Sequence, residues 1–205
     1  MWVIGVVGPA GSGKSTVCRI LSRRSGVAHI DCDRLAWETY RPGGPAYLSL
    51  IAHFGEGILA PDGSVDRAKL GALVFADPKA KAELEKMVHP LVMEELERIL
   101  AREQKRGTKM ALVEGALLLS SPHVRREAFD LFVWLSVPEE ERRRRLLASG
   151  LDEETIARRF SAQAELLPPK IPNLLVVEGV GAPAEVARRV LSAIESYFKE
   201  APTNC

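Results

Sequence analysis

Cysteine is scarce in this chain, and neither sign of charge dominates. The three cysteines, Cys18, Cys32 and Cys205, are odd in number and lack metal-ligand spacing. That excludes a disulfide framework or zinc ribbon and fits reduced thiols. Lysine plus arginine number 28 against 27 aspartate plus glutamate, for a formal net charge of +1. Such a balance removes any polyelectrolyte-scale attraction to nucleic acid or to an anionic membrane surface. No apolar run approaches the roughly 20 residues needed to span a bilayer. The segment before "WVIGVV" carries no basic leader pattern, and low-complexity tracts and internal repeats are missing. A cytoplasmic protein is expected, monomeric or weakly oligomeric, with small-molecule partners and neither nucleic acid nor membrane among them.

What is present is a chain of 205 residues with a 46% hydrophobic share, enough to bury a real core in one α/β domain. Short apolar, β-branched runs at 2–7, 27–30, 109–119, 130–137 and 173–177 read as strands. Helical periods at about 14–24, 138–148, 152–166 and 183–199 fall between them. Alternation of this kind predicts a parallel five-stranded sheet covered by helices on both faces. Residues 40–106 depart from the pattern, with helical periods and turns but no clear strand. That stretch is too long for an ordinary connection and reads as a helical insertion that holds a substrate beside the first loop. Within it, Pro90 interrupts a pattern that otherwise runs from 79 to 105, so a break or kink is expected at His89.

The first loop is "GPAGSGKST", Gly8 to Thr16, placed after a strand and before a helix. Gly8, Gly13, Lys14 and Ser15 complete a P-loop pattern. Its glycines allow a tight wrap in which successive backbone N–H groups point at phosphate oxygens, and the helix N-terminus adds partial positive charge. Lys14 is expected at the β- and γ-phosphates of ATP and the Ser15 hydroxyl on Mg²⁺. Gly8, Gly11, Ser12, Gly13, Lys14, Ser15 and Thr16 form the expected nucleotide site. An Asn-Lys-x-Asp guanine-reading pattern is absent, which favours a small-molecule kinase over a GTPase.

Such a kinase needs an acid near the acceptor and a guanidinium near the migrating phosphoryl group. Asp31 and Asp33, in "DCD", end the second strand, and two residues apart in extended chain they would share a side. One is a candidate base for the acceptor hydroxyl and the other a candidate support for Mg²⁺-bound water; helix capping is the alternative for either. In "PEEERRRRLL" (138–147) the Glu-to-Arg pairs at i,i+4 account for a solvated helix face. One of these arginines is also placed to stabilise transferring charge, a role worth roughly 10³ or more in rate.

With these pieces in order, the chain resembles the dephospho-coenzyme A kinases. The resemblance rests on Asp31-Cys32-Asp33, "RPGGPAYLSLIAHFG" (41–55), "DGSVDRAKLGALVFAD" (62–77), "LEKMVHP" (84–90) and "RFSAQ" (159–163). It implies one P-loop kinase domain over 1–205, with a helical acceptor-binding insertion at about 40–106 and a lid at about 139–166. It further implies ATP-dependent phosphorylation of the ribose 3′-hydroxyl of dephospho-CoA, with Asp33 as base and Asp31 supporting metal or substrate. By the same resemblance, Arg67 and His89 fall in the acceptor lobe and Arg144 at the lid-arginine position, where Lys14 and Arg144 offset developing charge. Arg67 also reads as half of a helix-start pair with Asp66, and His89 as a structural histidine. Pro9 and Ala10 depart from the family pattern at variable loop positions. Three later positions depart as well: Ser120 replaces a glutamate whose part could pass to Glu114, Ala148 replaces a second lid arginine, and Gly179 replaces an asparagine near the adenine pocket. Another P-loop nucleoside, nucleotide or small-alcohol kinase, or a nucleotide-binding regulator without turnover, stays open at this point.

Overall fold

The computed structural model describes residues 1–115, 118–119, 121–163 and 166–200. Five strands, β1 (Trp2–Val7), β2 (Val27–Asp31), β3 (Met110–Glu114), β4 (Leu131–Ser136) and β5 (Leu174–Glu178), form one sheet in the order β2-β3-β1-β4-β5. Eight α-helices accompany it among the described residues. They are α1 (Lys14–Leu21), α2 (Cys32–Thr39), α3 (Tyr47–Phe54), α4 (Arg67–Ala76), α5 (Pro78–Lys105), α6 (Glu139–Ala148), α7 (Glu153–Ser161) and α8 (Pro183–Glu200). Every strand pairing is parallel, which is why the central strands read as unbroken apolar runs rather than alternating ones. β1 lies between β3 and β4, so the chain leaves its carboxyl end where the strand order reverses. Open α/β sheets bind ligands at that switch point.

The chain divides into two compact units. The first comprises Met1–Asp31, Glu103–Ser120 and Arg125–Cys205. Here Ile4, Val6, Leu112, Leu131 and Val133 of the sheet pack against Val17 and Leu21 of α1 and Val190 and Ile194 of α8. Each such aliphatic side chain contributes about 1.5–3 kcal/mol on burial. The packing around β1 also explains a glycine within it: a Cβ on Gly5 would lie 2.4 Å from the Phe132 ring, which fills that space. α1 stops at Leu21, short of the expected Arg24, because the chain turns through Gly26 in the left-handed region (φ 77°) to enter β2.

The second unit comprises Cys32–Arg102 and Ser121–Val124. Its regular structure is helical, with a single antiparallel bridge between Leu59 and Val65 among the described residues. Leu50, Ile58, Leu70, Val88, Val92 and Leu96 are buried. Asp66 starts α4 as its N-cap, its carboxylate accepting from the backbone N–H of Ala68 (2.9 Å) and Lys69 (3.1 Å). The expected break at His89 does not occur: α5 runs from Pro78 to Lys105 with Pro90 inside it. Proline removes one backbone hydrogen bond. The buried stripe Val88, Val92, Leu96, one residue per turn across the proline, keeps both halves in one helix. No helix among the described residues is long and apolar enough to cross a membrane.

Candidate active site

The loop between β1 and α1 adopts backbone angles that its glycines make possible. Gly8, Gly11 and Gly13 all have positive φ. Gly11 shows the constraint most sharply: at φ 79° a side chain is strained, and a Cβ there would lie 2.7 Å from the Arg142 carbonyl oxygen. Lys14 Nζ donates to the carbonyl oxygens of Gly8 (2.8 Å) and Pro9 (3.2 Å), which holds its ammonium over the loop. Ser12 is buried, and its hydroxyl has no hydrogen-bond partner among the described residues. Ser15 is exposed, yet its Oγ donates to Glu114 Oε2 at 2.7 Å.

Glu114 ends β3 and is almost fully buried. Its second oxygen, Oε1, lies 2.7 Å from His29 Nε2 on β2. Cys18 Sγ lies within 4.8 Å of both groups. Burial first, and the Glu114 carboxylate second, push the Cys18 thiol up, so the sulfur stays protonated and belongs to the apolar core. The sequence reading had Glu114 only as a possible substitute for the glutamate expected at position 120. Ser120 itself lies outside the described residues. What identified neither the Ser15–Glu114 bond nor His29 was their separation along the chain. The one available signal was an ionisable residue ending an otherwise apolar strand.

The arginine-rich helix α6 and the segment after α7 reach the same loop. Arg145 donates to Glu141 (2.8 Å), to the Gly179 carbonyl (2.9 Å) and, more weakly, to the Ser12 carbonyl (3.4 Å). Arg142 reaches the Ala10 carbonyl at 3.4 Å and lies 4.6 Å over the Phe160 ring. Gln163, the last residue of "RFSAQ", accepts the Ala10 N–H at 2.8 Å and so tethers the loop. Arg144, the arginine singled out from the sequence, is instead paired with Glu141 through two 2.8 Å bonds, its side chain 75% exposed. The two arginines together pull the Glu141 carboxyl down to about 2. A cavity of about 590 Å³ opens beside the loop, lined by Lys14, Thr16, Arg144, Arg145, Gly179 and Pro183 among others. Gly179 is there for packing, since a Cβ would lie 2.6 Å from Val137 Cγ2. Ala148 closes α6 on an exposed face.

Asp31 and Asp33 need a correction. Asp31 is the last residue of β2, level with Glu114 on β3, but α2 begins at Cys32. Asp33 therefore sits in the first turn of a helix, and the two-residue repeat of an extended strand does not apply to the pair. In the second unit, the Arg67 guanidinium lies 4.0 Å over the Trp37 ring. Burial raises the nearby Tyr40 hydroxyl to about 12, with Arg67 lowering and Asp33 raising it. His89 is placed elsewhere in that unit, its Nδ1 2.8 Å from Ser121 Oγ and its ring edge-on to His123 at 5.9 Å. Burial depresses its pKa and keeps the imidazole neutral.

Arrayed this way, a phosphate-binding loop at a sheet's switch point, a serine held by a buried acid and an arginine helix beside a cavity are phosphotransferase parts. The family pattern of dephospho-CoA kinases matches residues 2–167. A Geobacter sulfurreducens dephospho-CoA kinase is 37% identical over 190 residues, 93% of this chain and 95% of that one. One from Corynebacterium efficiens is 41% identical over 161 residues, 78% of this chain and 79% of its own. Among solved structures, a Thermus thermophilus protein superposes with a TM-score of 0.72 at 30% identity, covering 96% of this chain and 97% of its own. The chain belongs to the dephospho-CoA kinase family.

Proposed function

We propose a division of labour among these residues for the reaction of the family, transfer of the γ-phosphoryl group of ATP to the ribose 3′-hydroxyl of dephospho-CoA, giving coenzyme A and ADP. The observation that carries the reading is the Ser15–Glu114 bond at the mouth of an intact P-loop. It holds a hydroxyl where a divalent cation on nucleotide phosphates is bound. The residues fit both groups. Gly8 and Gly11 leave no room for side chains, the Ser12 hydroxyl is buried without a partner, and an oxygen-rich set of Ser15, Glu114 and Asp31 suits Mg²⁺. When bound, that ion would supply positive charge to offset the charge of the nucleotide phosphates.

Gly8, Gly11, Ser12, Gly13 and Thr16 bind the triphosphate, and Lys14 offsets charge on the migrating group. Arg145 closes the nucleotide cavity through Ser12 and Gly179. Arg144 joins Lys14 at the phosphoryl group once its Glu141 pair opens. Asp33 takes the proton from the 3′-hydroxyl as its oxygen bonds to the γ-phosphorus and the bond to the ADP oxygen breaks. Arg67, fixed against Trp37, binds an acceptor phosphate, as guanidinium groups do. His89 contributes a neutral hydrogen-bonding group to the acceptor lobe. The reaction belongs in the cytoplasm, where both nucleotides are found, and needs neither nucleic acid nor membrane.

A coupled ADP-release assay over a panel of acceptors tests this reading. Turnover that depends on dephospho-CoA is expected. Turnover on a nucleoside or nucleoside monophosphate, with none on dephospho-CoA, would overturn it.

A further inference from the structure

β2 contributes one side chain that neither the loop nor the acceptor strings account for. His29 lies two residues before Asp31, on the strand face that it shares with Asp31, and it pairs in register with Leu112 while Asp31 pairs with Glu114. It therefore reaches Glu114 diagonally across the sheet, with Nε2 at 2.7 Å from Oε1. Glu114 Oε2 takes the Ser15 hydroxyl hydrogen at the same distance, 2.7 Å. A carboxylate only accepts hydrogen bonds, so the proton between His29 and Glu114 belongs to His29 Nε2. The result is a continuous chain from a strand histidine through a buried acid to the serine of the phosphate loop.

The burial along this chain determines what it does. The Glu114 side chain is 4% exposed and that of His29 21%. A carboxylate so thoroughly removed from water needs partners on both oxygens. With only Ser15 to bond, Oε1 would lose the partner that His29 supplies. With His29 on Oε1, the carboxylate plane is set and Oε2 keeps the serine hydrogen. With its hydrogen on Glu114, Ser15 Oγ keeps its lone pairs directed away from that carboxylate.

We infer that His29 is a positioning residue for the divalent-cation site, acting on the Ser15 oxygen through the Glu114 carboxylate. It never touches nucleotide or acceptor. Groups that orient a metal ligand typically cost about 10–100-fold in metal affinity or activity when lost, and His29 acts on Ser15 in this way with Glu114 between them. The inference rests on the phosphotransfer reading only in taking Mg²⁺ with ATP as the occupant of the loop.

The test is calorimetric titration of ATP, with and without Mg²⁺ and with no acceptor present, on the full chain and on two variants. His29→Val keeps a residue suited to a strand but removes the donor; His29→Gln retains an N–H at similar reach. His29→Val should raise the Mg²⁺ concentration for half-maximal binding about tenfold, with metal-free ATP affinity within about twofold of the parent. His29→Gln should restore most of the loss. In turnover, kcat at saturating Mg²⁺ should move far less than the Mg²⁺ requirement.

Three results would overturn the inference: an unchanged Mg²⁺ requirement in His29→Val, equal loss in the valine and glutamine variants, or equal weakening of metal-free ATP. Should His29→Val fail to fold, His29→Thr, too short to reach Glu114, takes its place. In a Glu114→Gln background, removing the histidine should add nothing further, and a second shift of the same size also counts against it. Because binding is read without acceptor, a wrong acceptor assignment would appear separately, as intact Mg²⁺-dependent nucleotide binding with no turnover on dephospho-CoA.

Discussion

The phosphate loop and the helices of residues 32–102 build their polar sites in opposite ways. Around the loop, polar side chains are tied to main chain or to a buried acid: Lys14 to Gly8 and Pro9, Ser15 to Glu114, Arg145 to Ser12 and Gly179. In the helical unit, the corresponding groups ride on surface positions of short helices. Asp33 sits exposed in the first turn of α2, and Arg67 opens α4 with its charge spread over a Trp37 ring that is itself 45% exposed. The contrast teaches where identity resides. A cradle made of backbone amides recognises any nucleoside triphosphate, so its sequence pattern is general. A site made of side chains recognises a particular acceptor, and its pattern separates one kinase from another.

The sharpest way to break this comparison is at the acid. Asp33→Ala should cut turnover by roughly 10²–10⁴ while leaving ATP affinity, measured by calorimetry, nearly unchanged; equal loss of ATP binding would assign Asp33 to the nucleotide side. Next come the two neighbouring arginines. Arg144→Ala should lower kcat by about 10²–10³ with little change in the KM for ATP. Arg145→Ala should instead raise the KM for ATP about tenfold, as removal of a charge-assisted bond does. Steady-state kinetics on both variants would separate them, and identical behaviour would merge the roles assigned to them.

A smaller effect is expected in the helical unit. Arg67→Ala should raise the KM for dephospho-CoA about tenfold and leave that for ATP alone. A change confined to ATP would place Arg67 on the wrong side of the comparison. The smallest effect concerns pH. Burial holds the folded-state pKa of His89 below its ordinary 6.5, so the unfolded chain takes up a proton first as the solution is acidified. Stability should fall as the pH drops through about 6.5 toward the lower folded-state value. Denaturant unfolding between pH 7.5 and 5 checks this, and His89→Gln should flatten that part of the profile.

Much of the fold was legible because parallel strands buried on both faces leave long apolar runs, and β1, β4 and β5 lie within a residue or so of their expected ends. The P-loop was legible for the same local reason: a left-handed glycine, a lysine and a hydroxyl at set spacing. Local reasoning failed where tertiary packing decided. A break or kink was expected at His89, before Pro90, but no break occurs: a buried stripe carries α5 through the proline. Asp31 and Asp33 should have shared a strand face, but the strand ended between them. The contacts of the arginine helix were equally out of reach: Arg144 pairs with Glu141, while Arg142 and Arg145 reach the loop carbonyls of Ala10 and Ser12.

By itself, the order of residues determined the sheet, the loop and the acceptor class, since each rests on short-range geometry or on strings read in sequence. Only the tertiary structure decided which groups hold the loop serine, Ser15. His29, Glu114 and Ser15 are far apart in the chain and meet because β2 and β3 pair in register beneath α1. A hydrogen bond depends on atoms within about 3 Å and on their orientation. Neither quantity is written in the spacing of residues that lie 85 and 99 positions apart.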